Sequence, residues 1–441
     1  MKKLRFSLFL LFLACGVQAQ TPQLDEAKRL FEIAWDTEDD DLRTNNRKKA
    51  MELAPESPYG LYCKAWLFRR QDNFQSYLAT LEALAIRYPD FWYAYYSLAI
   101  CYEQLNNTSK AIQNYTKVID IKPTHAATYY YRGTLKRNSG DTQGAINDYD
   151  KTIELEPTKA PIYNNRGILK ANLGNVREAM KDYDKAISLD EKYVQAYGNR
   201  AYLKFDSGNI QGALKDWEVY LKLEPSPVAY FEHGKLKVSL GDTTQAIKDY
   251  QNAIKMNPKY AEAYYALGNL YNFTGKTHEA LENYSRAIEF NPMQDAPYAN
   301  RAVLKEKMGD AQGALKDYTK AIELNSKYAS AYNNRGLLKA NLIDTKGALE
   351  DYNKAIELDP KYANAYNNRG ILKATLGDIQ GAAQDYNKVI ELNPKHTTAY
   401  YNRGLLKIQK LGQKESGCLD LRKAGELGFM QAYEAIKGLC Q

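Results

Sequence analysis

The side chains best suited to catalysis or metal binding are few in this chain. Its 441 residues include four histidines, namely His125, His233, His278 and His396. No HExxH, CxxC or GxSxG motif and no phosphate-binding glycine loop is present. We therefore expect no enzyme activity, no metal site and no cofactor.

Charged side chains form the most regular pattern. An arginine is followed at a fixed spacing by an aspartate, in the pairs Arg132–Asp148, Arg166–Asp182, Arg335–Asp351 and Arg369–Asp385. Where the arginine is replaced by Leu267, the aspartate is replaced by Asn283. Because the two residues change together, we predict a partly buried ion pair that joins two helices. A pair that recurs so often indicates a structural role rather than a catalytic one.

The elements that place these pairs are paired helices in a repeat. Residues 163–190 contain two helix-period patterns separated by a loop, and similar segments begin at Tyr130, Tyr332 and Tyr366. A small residue marks each first helix, as at Gly133 and Gly167, with a period of 34 residues. A proline that follows many copies ends the second helix and turns the chain. Such a period is typical of helical repeat proteins.

Two copies carry nearly the full pattern of one repeat family. They run over residues 95–123 and 264–292, with small residues at Ala99 and Gly268 and a closing Pro123 and Pro292. The chain resembles the tetratricopeptide repeat family over about residues 24–430. The resemblance implies an all-α fold, a right-handed α-solenoid of about twelve helix–turn–helix repeats with a C-terminal capping helix.

The repeat register also predicts the domain limits. A signal peptide over residues 1–19 precedes two degenerate repeats at 24–91, ten repeats at 92–431 and a capping helix at 432–441. The repeat at 194–226 is one residue short, with 33 residues. Either a loop absorbs this deletion or the stack bends there.

The first residues have the composition of an export signal. Lys2, Lys3 and Arg5 precede an apolar run over residues 6–17, and cleavage is expected after Ala19. Lipid attachment at Cys15 is a second interpretation, although the residues before it form a poor lipobox; a retained membrane anchor is a third. We expect an exported protein, in the periplasm or at the cell surface, without an integral membrane segment after signal removal.

Charge argues against a nucleic-acid partner. The formal net charge of +7 includes the three basic residues of the expected signal, so the mature chain is nearly balanced. Nucleic-acid binding requires concentrated positive charge, which this sequence lacks.

Four cysteines follow the expected cleavage site, an even number for an oxidising compartment. Cys418 and Cys440 are the favoured disulfide, because the capping helix should fold onto the last repeat. Cys63 and Cys101 lie one turn out of register on adjacent first helices and are the weaker candidate.

The family resemblance implies that the first helices line a groove that binds a protein or peptide. In most repeats the groove positions are small or polar, as at Asn333 and Asn367. Around the short repeat they are larger, which predicts a partner-binding patch of Tyr202, Phe205, Phe231, Tyr265, Asn269, Asn272 and Phe273. The alternative is that some of these rings turn inward as core.

We therefore expect a non-enzymatic interaction scaffold with a protein or peptide partner. A receptor for a small molecule or glycan, and an architectural spacer, are the alternative functions. The carboxylate clamp of some family members is not expected, because the ninth positions of the repeats are residues such as Ile168, Leu337 and Ile371.

Overall fold

Paired helices make up the described part of the chain. The structure is a computed structural model that describes residues 21–441, and within that range it contains 25 helices and no strand. The all-α prediction is therefore confirmed. The predicted signal peptide and the alternative lipid attachment at Cys15 lie outside the described residues.

The chain divides into two compact units, of which the first ends at Leu223. The described helices of unit 1 are α1 (Pro22–Asp36), α2 (Asp40–Leu53), α3 (Pro58–Arg70), α4 (Phe74–Arg87), α5 (Trp92–Gln104), α6 (Thr108–Ile121), α7 (Ala126–Asn138), α8 (Thr142–Leu155), α9 (Ala160–Asn172), α10 (Val176–Leu189), α11 (Val194–Asp206) and α12 (Ile210–Leu223).

Unit 2 begins at Glu224. Its helices are α13 (Pro227–Ser239), α14 (Thr243–Met256), α15 (Ala261–Phe273), α16 (Thr277–Phe290), α17 (Asp295–Lys307), α18 (Ala311–Leu324), α19 (Ala329–Asn341), α20 (Thr345–Leu358), α21 (Ala363–Thr375), α22 (Ile379–Leu392), α23 (Thr397–Lys410), α24 (Lys414–Glu426) and α25 (Gln431–Leu439).

Each odd-numbered helix from α1 to α23 packs along the even-numbered helix that follows it, and one such pair forms one repeat. The odd-numbered helix is the first helix of the repeat, and the even-numbered helix is the second. From α3 onwards, position 1 of a repeat is the first residue of its first helix.

Two residues fix the loop between the helices of a repeat. One adopts a positive φ, as Gly377 does at 86°. The other caps the second helix: the side chain of Asp378 accepts a hydrogen bond from the backbone N–H of Gly381 at 2.9 Å. The equivalent of Gly377 in the preceding repeat is Ile343, with a φ of 66°. Left-handed backbone is an outlier for a β-branched residue.

A small residue at position 8 is required by close helix packing. At Gly167, an added Cβ would lie only 2.7 Å from Cε1 of Tyr183, the residue at position 24 of the same repeat. The Tyr183 ring is buried, and burial raises the pKa of its phenol to about 12. This contact explains the recurring glycine, because a larger side chain would force the two helices apart.

Arginine and aspartate join the two helices in all four pairs that were proposed from the sequence. Each arginine donates from Nε and Nη2 to the two carboxylate oxygens, at 2.6–2.9 Å, in Arg132–Asp148, Arg166–Asp182, Arg335–Asp351 and Arg369–Asp385. A lysine at position 11 adds a third member within 2.9 Å of the same carboxylate, as Lys136, Lys170, Lys339 and Lys373 do. The aspartates are buried, so the cations compensate a charge that has left water.

The same arginines also reach the preceding repeat. Nη1 of Arg166 donates to Asp150 at 2.6 Å, and Nη1 of Arg369 donates to the side-chain oxygen of Asn353 at 2.7 Å. Burial works against the charge of Arg166, but its hydrogen bonds to Asp182 and Asp150 outweigh that effect and raise its pKa. Each of these arginines therefore connects two repeats as well as two helices.

The C-terminal helix α25 packs on α24. A disulfide connects Cys418 in α24 with Cys440, the residue that follows α25, and their Cα atoms are 5.8 Å apart. The ring of Phe429, between the two helices, lies 4.8 Å from the ring of Tyr401 in α23. The disulfide closes the end of unit 2 covalently.

Cys63 and Cys101 are not joined; both are buried free thiols. Cys63 is the sixth residue of α3, whereas Cys101 is the tenth residue of α5. Four residues correspond to about 6 Å along a helix, so side chains on two neighbouring helices do not meet at these heights. The sequence-based suggestion of a second bridge is wrong in this structure.

Candidate binding surface

Within unit 2 the first helices of successive repeats form a common surface. Helix α19 contacts α21, and α21 contacts α23, whereas the second helices of these repeats contact each other less. Residues at the same positions of these first helices therefore lie side by side. This arrangement produces a surface whose composition can be compared from repeat to repeat.

On α19, α21 and α23 this surface carries no ionisable group at positions 5, 6, 9, 12 and 13, apart from one tyrosine. We call it the amide face, and it consists of Asn333, Asn334, Leu337, Ala340, Asn341, Asn367, Asn368, Ile371, Ala374, Thr375, Tyr401, Asn402, Leu405, Ile408 and Gln409. A surface of amides and apolar groups can pair with peptide groups, and it offers no charge to an ionic ligand.

Amide side chains link neighbouring repeats across this face. Nδ2 of Asn368, at position 6, donates to Oδ1 of Asn333, at position 5 of the preceding repeat, at 3.0 Å. Nδ2 of Asn333 donates in turn to Oδ1 of Asn334 at 3.1 Å. One repeat later the pattern is incomplete, because the buried Oδ1 of Asn367 has no hydrogen-bond partner in the described residues. An unpaired buried acceptor costs about 1–3 kcal/mol, so the contact between these two repeats is less well satisfied than the one before it.

Apolar side chains at position 9 lie beside these amides. Leu337 is 40% exposed and Ile371 is 43% exposed, and Leu405 on the next helix is half-buried. They form a row across three helices, with one side chain per repeat. The amide face thus combines hydrogen-bonding groups with regularly spaced apolar contacts.

Two asparagines of this face differ from their sequence-based description. Asn333 and Asn367 were expected to be polar residues open to the groove, but both are buried. The reason is that position 5 faces the following repeat, where position 6 supplies a hydrogen bond to Asn333. Their truncation should therefore lower stability.

Phe231 and Tyr265, the centre of the predicted aromatic patch, are also packing residues. The Phe231 ring lies 5.5 Å from that of Tyr250, and the Tyr265 ring lies 6.0 Å from that of Tyr284. Both are at position 5, and each packs on the position-24 tyrosine of its own repeat. Both rings are half-buried, so the alternative of rings that turn towards the core describes part of each side chain, and partner binding by these two residues stays a prediction.

The remaining patch residues of unit 2 lie along α15. Oδ1 of Asn269 accepts from the hydroxyl of Tyr284 at 2.8 Å and from Nδ2 of Asn300 at 3.0 Å, so internal contacts hold this amide. Asn272 is exposed, and Phe273 is 81% exposed at the end of the helix. Of the predicted patch in this unit, these last two residues are exposed, whereas Phe231, Tyr265 and Asn269 are half-buried.

Tyr202 and Phe205 belong to unit 1 and lie on α11. Both side chains are partly exposed, and the ring of Tyr202 meets that of Trp217 edge-on at 5.2 Å. Binding by these two residues stays a prediction.

The described residues contain no group of three histidine, cysteine, aspartate or glutamate side chains that could hold a metal ion. Among the helices of residues 21–441, none has the length and apolar character needed to cross a membrane.

Two repeat models match the chain. The model described as TPR repeat matches residues 234–272, 307–342 and 344–377, and the model described as tetratricopeptide repeat matches residues 92–125, 160–193, 261–293 and 363–396. No curated protein sequence matches significantly.

Solved structures with a similar fold include three shorter proteins. The MamA protein is 26% identical over 39% of this chain and 94% of its own, with a TM-score of 0.36. YrrB, described as a TPR protein with an unusual peptide-binding site, is 23% identical over 42% of this chain and 95% of its own, with a TM-score of 0.37. A tetratricopeptide repeat protein from Parabacteroides merdae is 23% identical over 56% of this chain and 96% of its own, with a TM-score of 0.43.

Proposed function

Because the chain is a tetratricopeptide repeat protein, we propose that it is a non-enzymatic scaffold that holds an extended segment of a partner protein or peptide on the amide face. Proteins of this family are generally not catalysts. The partner segment we propose is uncharged where it contacts α19, α21 and α23, because these helices offer no opposite charge at the positions that form the face.

The observation that carries this proposal is that each repeat of the amide face presents amide side chains beside an apolar side chain at position 9. An extended chain exposes its backbone N–H and C=O groups and needs partners for them when they leave water. Asparagine side chains supply both donors and acceptors; Asn334 and Asn368 are half-buried and Asn341 is exposed. Leu337 and Ile371 supply the apolar contacts that bury side chains of the segment.

The proposal is tested by placing charge on the face. We expect the double variant Leu337→Asp/Ile371→Asp to lose partner capture from the cell-envelope fraction by about tenfold or more, since each carboxylate would be buried against an uncharged segment. The same preparation should keep its helical circular dichroism, because both side chains are partly exposed in the wild type.

A matched control introduces two aspartates at exposed apolar residues outside the amide face. Ile343 and Met293 are exposed apolar residues in loops outside the amide face, and their change to aspartate should leave capture intact. Equal losses in the two double variants, or none in either, would show that the partner uses another surface.

We also propose that the protein is exported, on the basis of the basic and apolar residues before Ala19. N-terminal sequencing of the protein from its host should begin at Gln20. A chain that retains Met1 would contradict export by this route, and an acylated Cys15 would establish the lipoprotein alternative.

A further inference from the structure

Arg47 occupies a place in unit 1 that is apolar in the following repeats. It lies in α2 and is only 7% exposed. The equivalent residue is Leu81 one repeat later and Tyr115 two repeats later, and both are fully buried. The first repeat therefore places a guanidinium where its neighbours place core side chains. Burial lowers the pKa of Arg47, yet a guanidinium keeps its charge at neutral pH.

This buried cation has no anionic partner among residues 21–441. Its Nε is buried without a hydrogen bond, and its guanidinium lies over the ring of Trp66 at 4.7 Å. The aspartate that would precede the core residue in later repeats is replaced by Asn46. Arg335, by contrast, donates two hydrogen bonds to Asp351. A buried charge without compensation is costly, so a partner group that supplies a negative charge would be strongly favoured.

Three further arginines belong to the same group of side chains as Arg47. Arg43 and Arg70 share one carboxylate, that of Asp40, at 3.5 and 3.2 Å. The guanidinium of Arg70 lies over the same Trp66 ring at 5.2 Å, and that of Arg69 lies over the ring of Tyr77 at 5.6 Å. Asp40 therefore pairs with Arg43 and Arg70, and neither of these ion pairs supplies a carboxylate to Arg47.

Arg47 is equivalent to position 24 of the later repeats, and the side chain at position 24 can extend to the surface of a first helix. In unit 2, the hydroxyl of Tyr284 donates to Asn269, at position 9, and the hydroxyl of Tyr318 contacts Glu306, at position 12. Trp66 is at position 9 of α3, the first helix of the repeat after that of Arg47, and it is half-buried. Because the Arg47 guanidinium lies over this ring, a ligand that contacts the accessible part of the indole comes next to the guanidinium.

We propose that Arg47 and Trp66 form a recognition site for an acidic side chain, aspartate or glutamate, of a partner polypeptide. The guanidinium fork matches the two oxygens of a carboxylate, and the indole supplies an apolar wall for the methylene groups that carry it. The site lies in unit 1, so it is separate from the amide face of unit 2.

The proposal is tested with two blocked tripeptides, acetyl-Gly-Glu-Gly-amide and acetyl-Gly-Gln-Gly-amide, titrated against the mature full-length chain while tryptophan fluorescence is recorded. We expect the glutamate peptide to bind about tenfold more tightly, since its carboxylate can accept charge-assisted hydrogen bonds from the guanidinium and carries the opposite charge, whereas the glutamine amide is neutral. Arg47→Met should abolish this preference, and Arg47→Lys should reduce it, because an ammonium lacks the planar fork. Equal binding of the two peptides, binding of neither, or a preference that survives in Arg47→Met would overturn the proposal.

The melting temperature of the variants tests the proposal independently of peptide binding. Methionine keeps the unbranched stem and removes the charge, so Arg47→Met should melt at the same temperature as the wild type or above it. Arg335→Leu is the matched control and should melt lower, because it leaves Asp351 buried without Arg335. A melting temperature of Arg47→Met well below that of the wild type would show that Arg47 is a structural cation, and the recognition site would then be rejected. Neither measurement depends on the partner of the amide face.

Discussion

Arg335 in α19 donates hydrogen bonds from Nε and Nη2 to the two carboxylate oxygens of Asp351 in α20, at 2.9 and 2.7 Å. Nζ of Lys339 lies 2.9 Å from one of the same oxygens. A buried carboxylate is thus held by two cations on the facing helix. In another repeat the arginine and the aspartate are both replaced, by Leu267 and Asn283, which shows that an uncharged pair can occupy the same place.

The first prediction follows from this triad. Asp351→Asn should lower the free energy of unfolding by about 3–5 kcal/mol, because it leaves Arg335 and Lys339 without their carboxylate. Arg335→Leu should lower it by less, because Lys339 still lies 2.9 Å from the Asp351 carboxylate. The triple variant Arg335→Leu/Lys339→Tyr/Asp351→Asn, which copies the repeat with Leu267, Tyr271 and Asn283, should cost much less than the sum. Chemical denaturation of the single, double and triple variants measures the coupling energy. Additive losses would mean that the side chains do not stabilise one another.

The second prediction concerns the covalent end of unit 2. The disulfide between Cys418 and Cys440 closes a loop with a sequence separation of 22 residues, for which chain entropy gives a stabilisation of about 3 kcal/mol. Cys440→Ser should increase amide hydrogen exchange in α25 and leave unit 1 unchanged. A reducing agent should have the same effect on the wild type and none on the Cys418→Ser/Cys440→Ser variant. Two free thiols at these positions in protein purified from its host without reducing agent would contradict the bridge.

The third prediction concerns Ile343. This residue adopts a φ of 66° and is 84% exposed, so it has a strained backbone and little apolar burial. Ile343→Asn should raise the free energy of unfolding by about 1 kcal/mol, because asparagine tolerates left-handed backbone better. Asn106 has a φ of 55° at the equivalent place of another repeat, and Asn106→Ile should lower stability by a similar amount. The idea fails if the two changes have the same sign.

The fourth prediction concerns the free thiols. Burial raises the pKa of Cys63 to about 12 and that of Cys101 to about 11. At pH 8 the thiolate fraction of Cys101 is therefore about one in a thousand, and that of Cys63 is smaller. In the native protein both should react far more slowly with iodoacetamide than after unfolding in urea. If labelling at pH 8 proceeds at the rate of an exposed cysteine, at least one of the thiols is accessible.

The helix pairs were predictable because one period controls many residues at once. The repeat register locates the loops, the small residue at position 8 and the tyrosine at position 24, and Gly167 and Tyr183 meet accordingly. Covariation within the chain was also sufficient to connect Arg335 with Asp351. These features are local to one repeat, and the repeats act as an alignment of the chain with itself.

Contacts that depend on which side chain lies opposite were harder to predict from the sequence. The sequence places Phe231 and Tyr265 on a first helix, but only the packing shows that position 5 lies against position 24 of the same repeat. The hydrogen bond from Asn368 to Asn333 joins two neighbouring repeats, so no pattern within one repeat indicates it. The paired asparagines that recur at positions 5 and 6 are the signal that could have suggested it. Arg47 was missed for a related reason, since the first repeat departs too far from the others for its missing aspartate to be noticed.

The arginines that bond to the preceding repeat determine how far a local disturbance spreads. From α17 to α24 the run is continuous: Arg301 reaches Ser285, Arg335 reaches Thr319, Arg369 reaches Asn353 and Arg403 reaches Asn387. In a linear array, stability is set by such neighbour terms. We expect opening of one repeat of this run to weaken the next one, so that the run melts as one cooperative block. Leu267 provides no arginine bond to the repeat before it; there Nε2 of Gln251 in α14 donates to the hydroxyl of Tyr271 in α15 at 3.2 Å. A hydrogen bond between neutral groups is weaker than one from an arginine, so we expect partial unfolding of unit 2 to stop at α15.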